Sequence, residues 1–414
     1  MTLRNLLLSY STVFSLLANA QTPANKQFDS YAHNQDSLMV NAYDHKDVNS
    51  YTKLLNEFLE KYDNLSKEDK ISFKTYYFNA YYNLCCTYSL ANDKSKEYDY
   101  LDKSIKAGYW DYEHLKTDKD LDNIRFEEQY KKLVQPLRET GDFMYILKKA
   151  AKYNPNEKRE LPAFTYQLAD NPNLVSLRKA FNLDSIAGGG NDVSKILNLM
   201  HWIHNLVPHD GSHGNPEVMN ALNMIAVCKN DKRGLNCRGL ATVLNECYLA
   251  MGFKSRFLTC LPKDSLGVDQ DCHVIDMVYS NQLKKWLWID PTFDAYMMNE
   301  KGELLSVEEV RERLINDKPL ILNPDANWNR KNSQTKENYL YSYMAKNLYL
   351  LECPISSEYN TETRQENKVI NYMDLVPLDY FKKSLNKKES TNNENKTTFI
   401  TYKTNNPDVF WKAP

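Results

Sequence analysis

The chain has 414 residues, 42% of them apolar and 26% charged, with a formal net charge of −2. A chain of this length can bury more than one core. Its near-neutral balance excludes a general electrostatic attraction to nucleic acid or to an anionic membrane. The eight cysteines lack the doubled C-x-x-C spacing of a zinc site, so neither metal nor cofactor is expected.

Residues 1–20 read as a signal peptide: Arg4, an apolar run over 6–17, then Ala18-Asn19-Ala20 as a small-x-small cleavage site. The run is short for a bilayer span. The expected mature protein is exported, periplasmic or extracellular, with no integral membrane span after cleavage. Residues 21–46 are polar and mixed, the pattern of a loosely ordered lead-in.

A helical domain is expected over 47–150. Leu54, Leu55, Phe58, Leu59 and Tyr62 recur at helical spacing, and a run over 77–90 encloses Cys85 and Cys86 as packing residues. A polar break follows, then a second helix closed by Gly108. Residues 151–190 read as a linker around Pro155 and Pro162 with short helices after it. Gly188-Gly189-Gly190 breaks the chain before Asn191, a helix N-cap.

The next domain is expected over 191–330. Its first helix, 193–206, aligns Ile196, Leu199, Met200 and Ile203 on one face and carries Trp202. The polar loop 209–216 holds His209 and His213, which either line a cleft or are simply solvated. Helix 217–227 follows. Then Gly234-Leu235-Asn236-Cys237 delivers a cysteine to the start of an apolar helix over 240–251, with Cys237 in its first turn. Helix N-termini present free N–H groups and positive dipole character, which lower a thiol's pKa. Strands are expected over 254–260, 272–279 and 284–289, giving an α+β domain with the nucleophile helix against an antiparallel sheet. A helix is expected over 301–317. Residues 331–414 read as an extension packing on that core. They include an aromatic-apolar run over 339–351, a polar surface or disordered stretch over 382–396, and a last strand over 397–403.

The two strands after the cysteine helix can be placed by arithmetic. With Asn281-Gln282 as a two-residue turn, Ser280 faces Leu283 and His273 falls directly opposite Asp290. Side chains so paired are about 5 Å apart at Cβ. The carboxylate can orient one imidazole nitrogen and leave the other for Cys237, the geometry that activates a nucleophile. Cys237, His273 and Asp290 are therefore the candidate catalytic residues.

Two resemblances follow from these residues. Cys237 opening a helix, His273 beginning a strand and Trp288-Ile289-Asp290-Pro291-Thr292 closing the next resemble the transglutaminase-like, papain-related superfamily over about residues 190–300. Departures from the pattern are the three-residue spacing from Gly234 to Cys237 and Val274-Ile275 after the histidine, which leave substrate preference open. Ala80, Asn83-Leu84, Tyr88, Leu101, Ile105 and Ala107-Gly108 resemble a tetratricopeptide helical hairpin. The first resemblance implies thioester chemistry on peptide or protein amides. It also implies an oxyanion hole, with the Cys237 N–H as one donor and Trp202 as the expected side-chain donor. The second implies a peptide or protein partner at the helical domain. Two functional classes stay open: an exported cysteine-dependent amide hydrolase or acyltransferase, and a non-catalytic binding or scaffold protein that retains the fold.

Overall fold

The structure, a computed structural model, describes residues 23–263, 271–380 and 385–414. Residues 1–20, read from the sequence as a signal peptide, lie outside the described residues. Among those described, no helix is long and apolar enough to cross a membrane. The chain forms two compact units that divide between Asp142 and Phe143.

The first unit is helical. Helices α1 (Pro23–Asp44), α2 (Val48–Asp63), α3 (Lys67–Ser72), α4 (Lys74–Leu90) and α5 (Lys94–Ala107) are followed by short turns α6 (Tyr112–Thr117), α7 (Glu128–Val134) and α8 (Arg138–Gly141). Helix α1 replaces the loose lead-in read from the sequence. Its apolar residues are few, but Phe28, Ala32, Met39 and Ala42 fall on one stripe and are buried, with Gln35 between them donating to the Leu54 carbonyl at 2.9 Å. Average polarity concealed that stripe. Helix α4 is the centre of the unit: Phe78, Tyr82, Leu84, Cys85, Cys86 and Tyr88 are all buried along it. It pairs with α5 across a tight turn, and Gly108 ends α5 with φ 113°, a left-handed cap that a side chain would strain.

The second unit begins at α9 (Phe143–Lys149), inside the stretch expected to close the helical domain. Leu147 of α9 belongs to the second unit's core, so the boundary follows packing rather than helical pattern. Beyond the linker come a short β1 (Thr165–Tyr166), then α10 (Pro172–Phe181), α11 (Leu183–Ala187), α12 (Asp192–Leu206), α13 (Ala221–Asp231) and α14 (Cys237–Ala250). Asn191 caps α12 by accepting from the Ser194 N–H. Every residue of α14 from Gly239 to Ala250 is buried, the polar Thr242, Asn245 and Glu246 included.

Beside α14 lies a seven-stranded sheet, in the order β12 (Lys388–Thr391), β13 (Thr398–Thr404), β11 (Val369–Leu375), β9 (Leu350–Pro354), β2 (Ser255–Leu261), β3 (His273–Ser280), β4 (Lys285–Ile289); the short strands β5 (Met297–Met298) and β6 (Ile321–Leu322), β7 (Asn327–Trp328) and β8 (Asn332–Ser333), and β1 and β10 (Ser356–Ser357) pair two by two outside it. Within the seven-stranded sheet, neighbours are antiparallel except β11 and β13. The C-terminal part is thus not an extension laid on a finished core: it supplies β9, β11, β12 and β13. The expected polar stretch over 382–396 contains β12, whose side chains are all exposed, so its composition is that of an edge strand. Its residues 382–384 lie outside the described residues.

Strand alternation gives the sheet two buried faces. Val278, Leu287 and Ile289 meet α10 and α12–α14. Ile275, Met277, Trp286 and Trp288 meet α15 (Val307–Ile315), Tyr339, Leu340 and Met344 of a π-helical segment (Glu337–Met344), and Phe410 near the C-terminus. The 339–351 run therefore packs on the sheet, as its composition predicts.

The hairpin register differs from the two-residue turn. Ser280 pairs with Lys285 and Asp276 with Ile289, so residues 281–284 form the connection, with Lys284 at φ 52°. The Ser280 hydroxyl accepts from the Leu283 N–H at 3.1 Å and Asp192 accepts from the Gln282 N–H at 3.1 Å, which satisfies the longer turn. The partner of each β3 residue shifts by two, and a shift of two keeps side chains on the same face.

Candidate functional site

Cys237 is the first residue of α14. Asn236 caps the helix through its side chain, which accepts from the Gly239 N–H at 3.1 Å. The preceding turn lies close beside a second segment: the Leu235 N–H donates to the Pro208 carbonyl at 3.2 Å, and the Asp210 N–H to the Leu235 carbonyl at 2.7 Å. A Cβ at position 234 would overlap the Pro208 carbonyl oxygen, so a glycine is required for this approach. Asn215 from the same loop donates to the Asn236 side chain at 2.8 Å and lies against Gly239. The two glycines flanking the cysteine are where the loop carrying His209 rests.

His273 opens β3 and is buried, with 1% exposure. Its Nε2 lies 2.7 Å from Asp290 Oδ2. Asp290 is itself fully buried at the end of β4 and accepts from Tyr339 Oη at 2.8 Å and from the Thr292 and Phe293 N–H groups at 2.9 and 3.3 Å. Trp288 Nε1 donates to Tyr339 Oη at 3.0 Å, which continues the chain of donors behind the carboxylate. A charge so enclosed is tolerated because both of its oxygens have donors. The other imidazole nitrogen, Nδ1, has Tyr343 Oη at 3.4 Å, and the ring meets Phe293 and Tyr343 edge-on, at 5.5 and 5.2 Å between centroids. Tyr339 and Tyr343 sit four residues apart on the π-helical segment, an irregularity frequent at functional sites.

Cys237 packs against Ala241, Phe257 and Val274, and His209 and His273 are the polar groups that act on its thiol. Burial pushes its thiol up, but the hydrogen bonds and charges of the two histidines outweigh it and bring the thiol down to about 6. Burial works against a charged His273, while the Asp290 charge and hydrogen bond, together with Cys237, raise the imidazole to about 10. A thiolate beside an imidazolium is the favoured pairing near neutral pH. Cys272, the next thiol, is pushed up to about 11, by burial first and by Cys237 second. The low value therefore belongs to Cys237's own surroundings.

The three residues expected as a catalytic set are thus brought together. Trp202, the expected side-chain oxyanion donor, sits in the helical layer on α12. Its ring packs on Phe181 at 5.5 Å among the helices of the α12 layer. The polar side chains that act on Cys237 are His209 and His273. His213 is bound to Asp210 at 2.6 Å on the exposed part of its loop. Tyr339, Tyr343 and Trp328 were not singled out from the sequence; nothing in their local pattern separates them from core aromatics.

No protein-family model and no curated protein matches this chain. A solved structure described as "a Putative Cysteine Protease from Cytophaga hutchinsonii" aligns with 19% identity over 28% of this chain and 37% of that one, with a TM-score of 0.22. The chain spans little more than a third of that neighbour's length. Agreement at this level decides neither fold nor activity. The α+β architecture with a helical N-terminal unit stands on the coordinates alone.

Proposed function

We propose that the protein is an exported cysteine-dependent amide hydrolase or acyltransferase with a transglutaminase-like, papain-related core, acting on peptide or protein substrates. The observation that carries the reading is the buried His273–Asp290 pair at 2.7 Å, with the imidazole's other nitrogen left to Cys237. The order of nucleophile helix, histidine strand and aspartate strand supports the core assignment. Export rests on the charged, apolar and small-residue pattern of residues 1–20. A partner for the helical unit belongs to the same proposal.

In this mechanism the Cys237 thiolate attacks the amide carbonyl carbon. A C–S bond forms and the carbonyl π electrons move to oxygen. The Cys237 and Arg238 N–H groups at the start of α14 face no intrahelical acceptor and can meet that charge. His273 then protonates the leaving nitrogen, the C–N bond breaks, and a thioester with a free amine results. Water or an amine attacks the thioester while His273 takes its proton, which returns the acid or a new amide and the thiolate. Asp290 holds the ring and stabilises its charged form throughout.

The test is a peptide-library screen with a small primary amine present, comparing wild type with Cys237→Ala. Cleaved or amine-linked products from wild type alone support the reading. Identical product profiles, with Cys237 no more reactive to iodoacetamide than the other cysteines, would place the protein in the binding or scaffold class.

A further inference from the structure

Two histidines act on the Cys237 thiol, and their outer partners differ in kind. His273 faces a carboxylate through Nε2, the partner of a residue that carries and passes a proton. His209 faces an indole: Trp328 Nε1 lies 3.4 Å from His209 Nδ1. An indole N–H can only donate, so this Nδ1 is the acceptor and the ring's proton is on Nε2. The ring therefore offers a donor, with no base, on its remaining edge.

The backbone of His209 is also fixed. Its N–H donates to Asn329 Oδ1 at 2.6 Å, and Asn329 Nδ2 donates back to its carbonyl at 2.9 Å. His209 further forms a parallel bridge with Leu235, two residues before the nucleophile. Asn329 and Trp328 are adjacent, so one short segment sets both the position of His209 and its tautomer. Both are half-buried, with Asn327–Trp328 paired to Asn332–Ser333 as a small ribbon.

We infer that His209 is a catalytic residue, the side-chain oxyanion donor of the site: its Nε2–H bonds Cys237 Sγ in the resting protein and the substrate oxygen once the tetrahedral intermediate forms. The inference rests on the cysteine-nucleophile reading above. Negative charge leaves the sulfur and arrives on an oxygen joined to the same carbon, so a donor held beside Sγ is already next to it. His209 keeps its proton through the cycle, and proton transfer stays with His273. His209 takes the place that the sequence offered to Trp202.

Two probes separate this role from a structural one. Acylation of Cys237 by p-nitrophenyl acetate passes through an oxyanion; alkylation by iodoacetamide does not. Both are followed on the plateau above the thiol's inflection, with the labelled cysteine identified by peptide mapping. For His209→Ala we expect acylation to fall by roughly 10²–10³-fold, the usual loss for one oxyanion donor, while the alkylation plateau stays in place. His209→Gln, which carries an amide N–H, restores part of the acylation. Trp328→Phe leaves the Asn329 clamp and costs acylation alone, in part. Equal loss in both reactions, no loss in acylation, or no effect of Trp328→Phe overturns the inference. A wild-type Cys237 that reacts with neither probe, or that ignores His273→Ala, refutes the underlying reading instead.

Discussion

Replacing Asp290 by asparagine exchanges one carboxylate oxygen for an NH₂ and reverses the polarity of the site. The remaining oxygen still accepts from the Thr292 and Phe293 N–H groups, so the turn is kept. The new NH₂ faces His273 Nε2, where a second donor cannot be accommodated as long as that nitrogen carries a proton. The ring must adopt the opposite tautomer, with a lone pair on Nε2 and the N–H on Nδ1, and it no longer holds a second proton. Cys237 then loses the imidazolium that helps keep its thiol at about 6, and the value moves toward the ordinary 9.0. At pH 7 the thiolate fraction would fall from about nine-tenths to about one-hundredth, so roughly a hundredfold is the upper limit of the rate loss. His209 still donates, which makes the observed loss smaller. The assay is the pH profile of iodoacetamide labelling at Cys237, with circular dichroism to establish an intact fold. An unchanged inflection in a folded Asp290→Asn protein would refute the coupling of aspartate, imidazole and thiol argued from the geometry.

Other expectations follow from the same coordinates. Acylation of wild type should be bell-shaped in pH, rising through about 6 as the thiolate forms and falling through about 10 as the imidazolium loses its proton; the two inflections belong to the pair jointly, and a single limb would contradict the ion-pair assignment. Gly234→Ala should lower the melting temperature by the equivalent of about 1–3 kcal/mol, because its Cβ would overlap the Pro208 carbonyl, whereas at an open position the change stabilises by about 0.4–1 kcal/mol; calorimetry decides the sign. Asp276 is buried on β3 with neither carboxyl oxygen hydrogen-bonded among the described residues, and burial, reinforced by Asp290, holds its pKa well above 3.8. The folded state keeps it neutral while the unfolded chain ionises above 3.8, so its cost to stability appears as pH rises. Asp276→Asn should therefore raise the melting temperature more near neutral pH than near 4, and equal shifts at both would show that no such titration occurs.

The helix start at Asn191, the placing of Cys237 in a helix's first turn, the cap at Gly108 and the three strands β2–β4 were legible in the chain because each depends on local periodicity and on residues within one turn. Helix α1 escaped because its stripe is sparse, and the boundary at Asp142 because α9 has the pattern of the first unit and the packing of the second. The four strands β9 and β11–β13 form one sheet with β2–β4 through a pairing of segments far apart in the chain, as between Thr259 and Glu352. No local signal specifies such a pairing.

Local pattern alone places Cys237 in the first turn of a helix and His273 and Asp290 on one face of a hairpin. That much follows from the period of a strand, which is two, so even an error of two in the register preserves the face. Their surroundings come from long-range packing. Tyr339 behind Asp290, Trp328 behind His209 and His209 beside Cys237 come from segments 49, 119 and 28 residues away, measured along the chain from the residues they meet. Those contacts set the protonation of each ring, and they exist because two faces of one sheet had to be covered by elements drawn from the whole second unit.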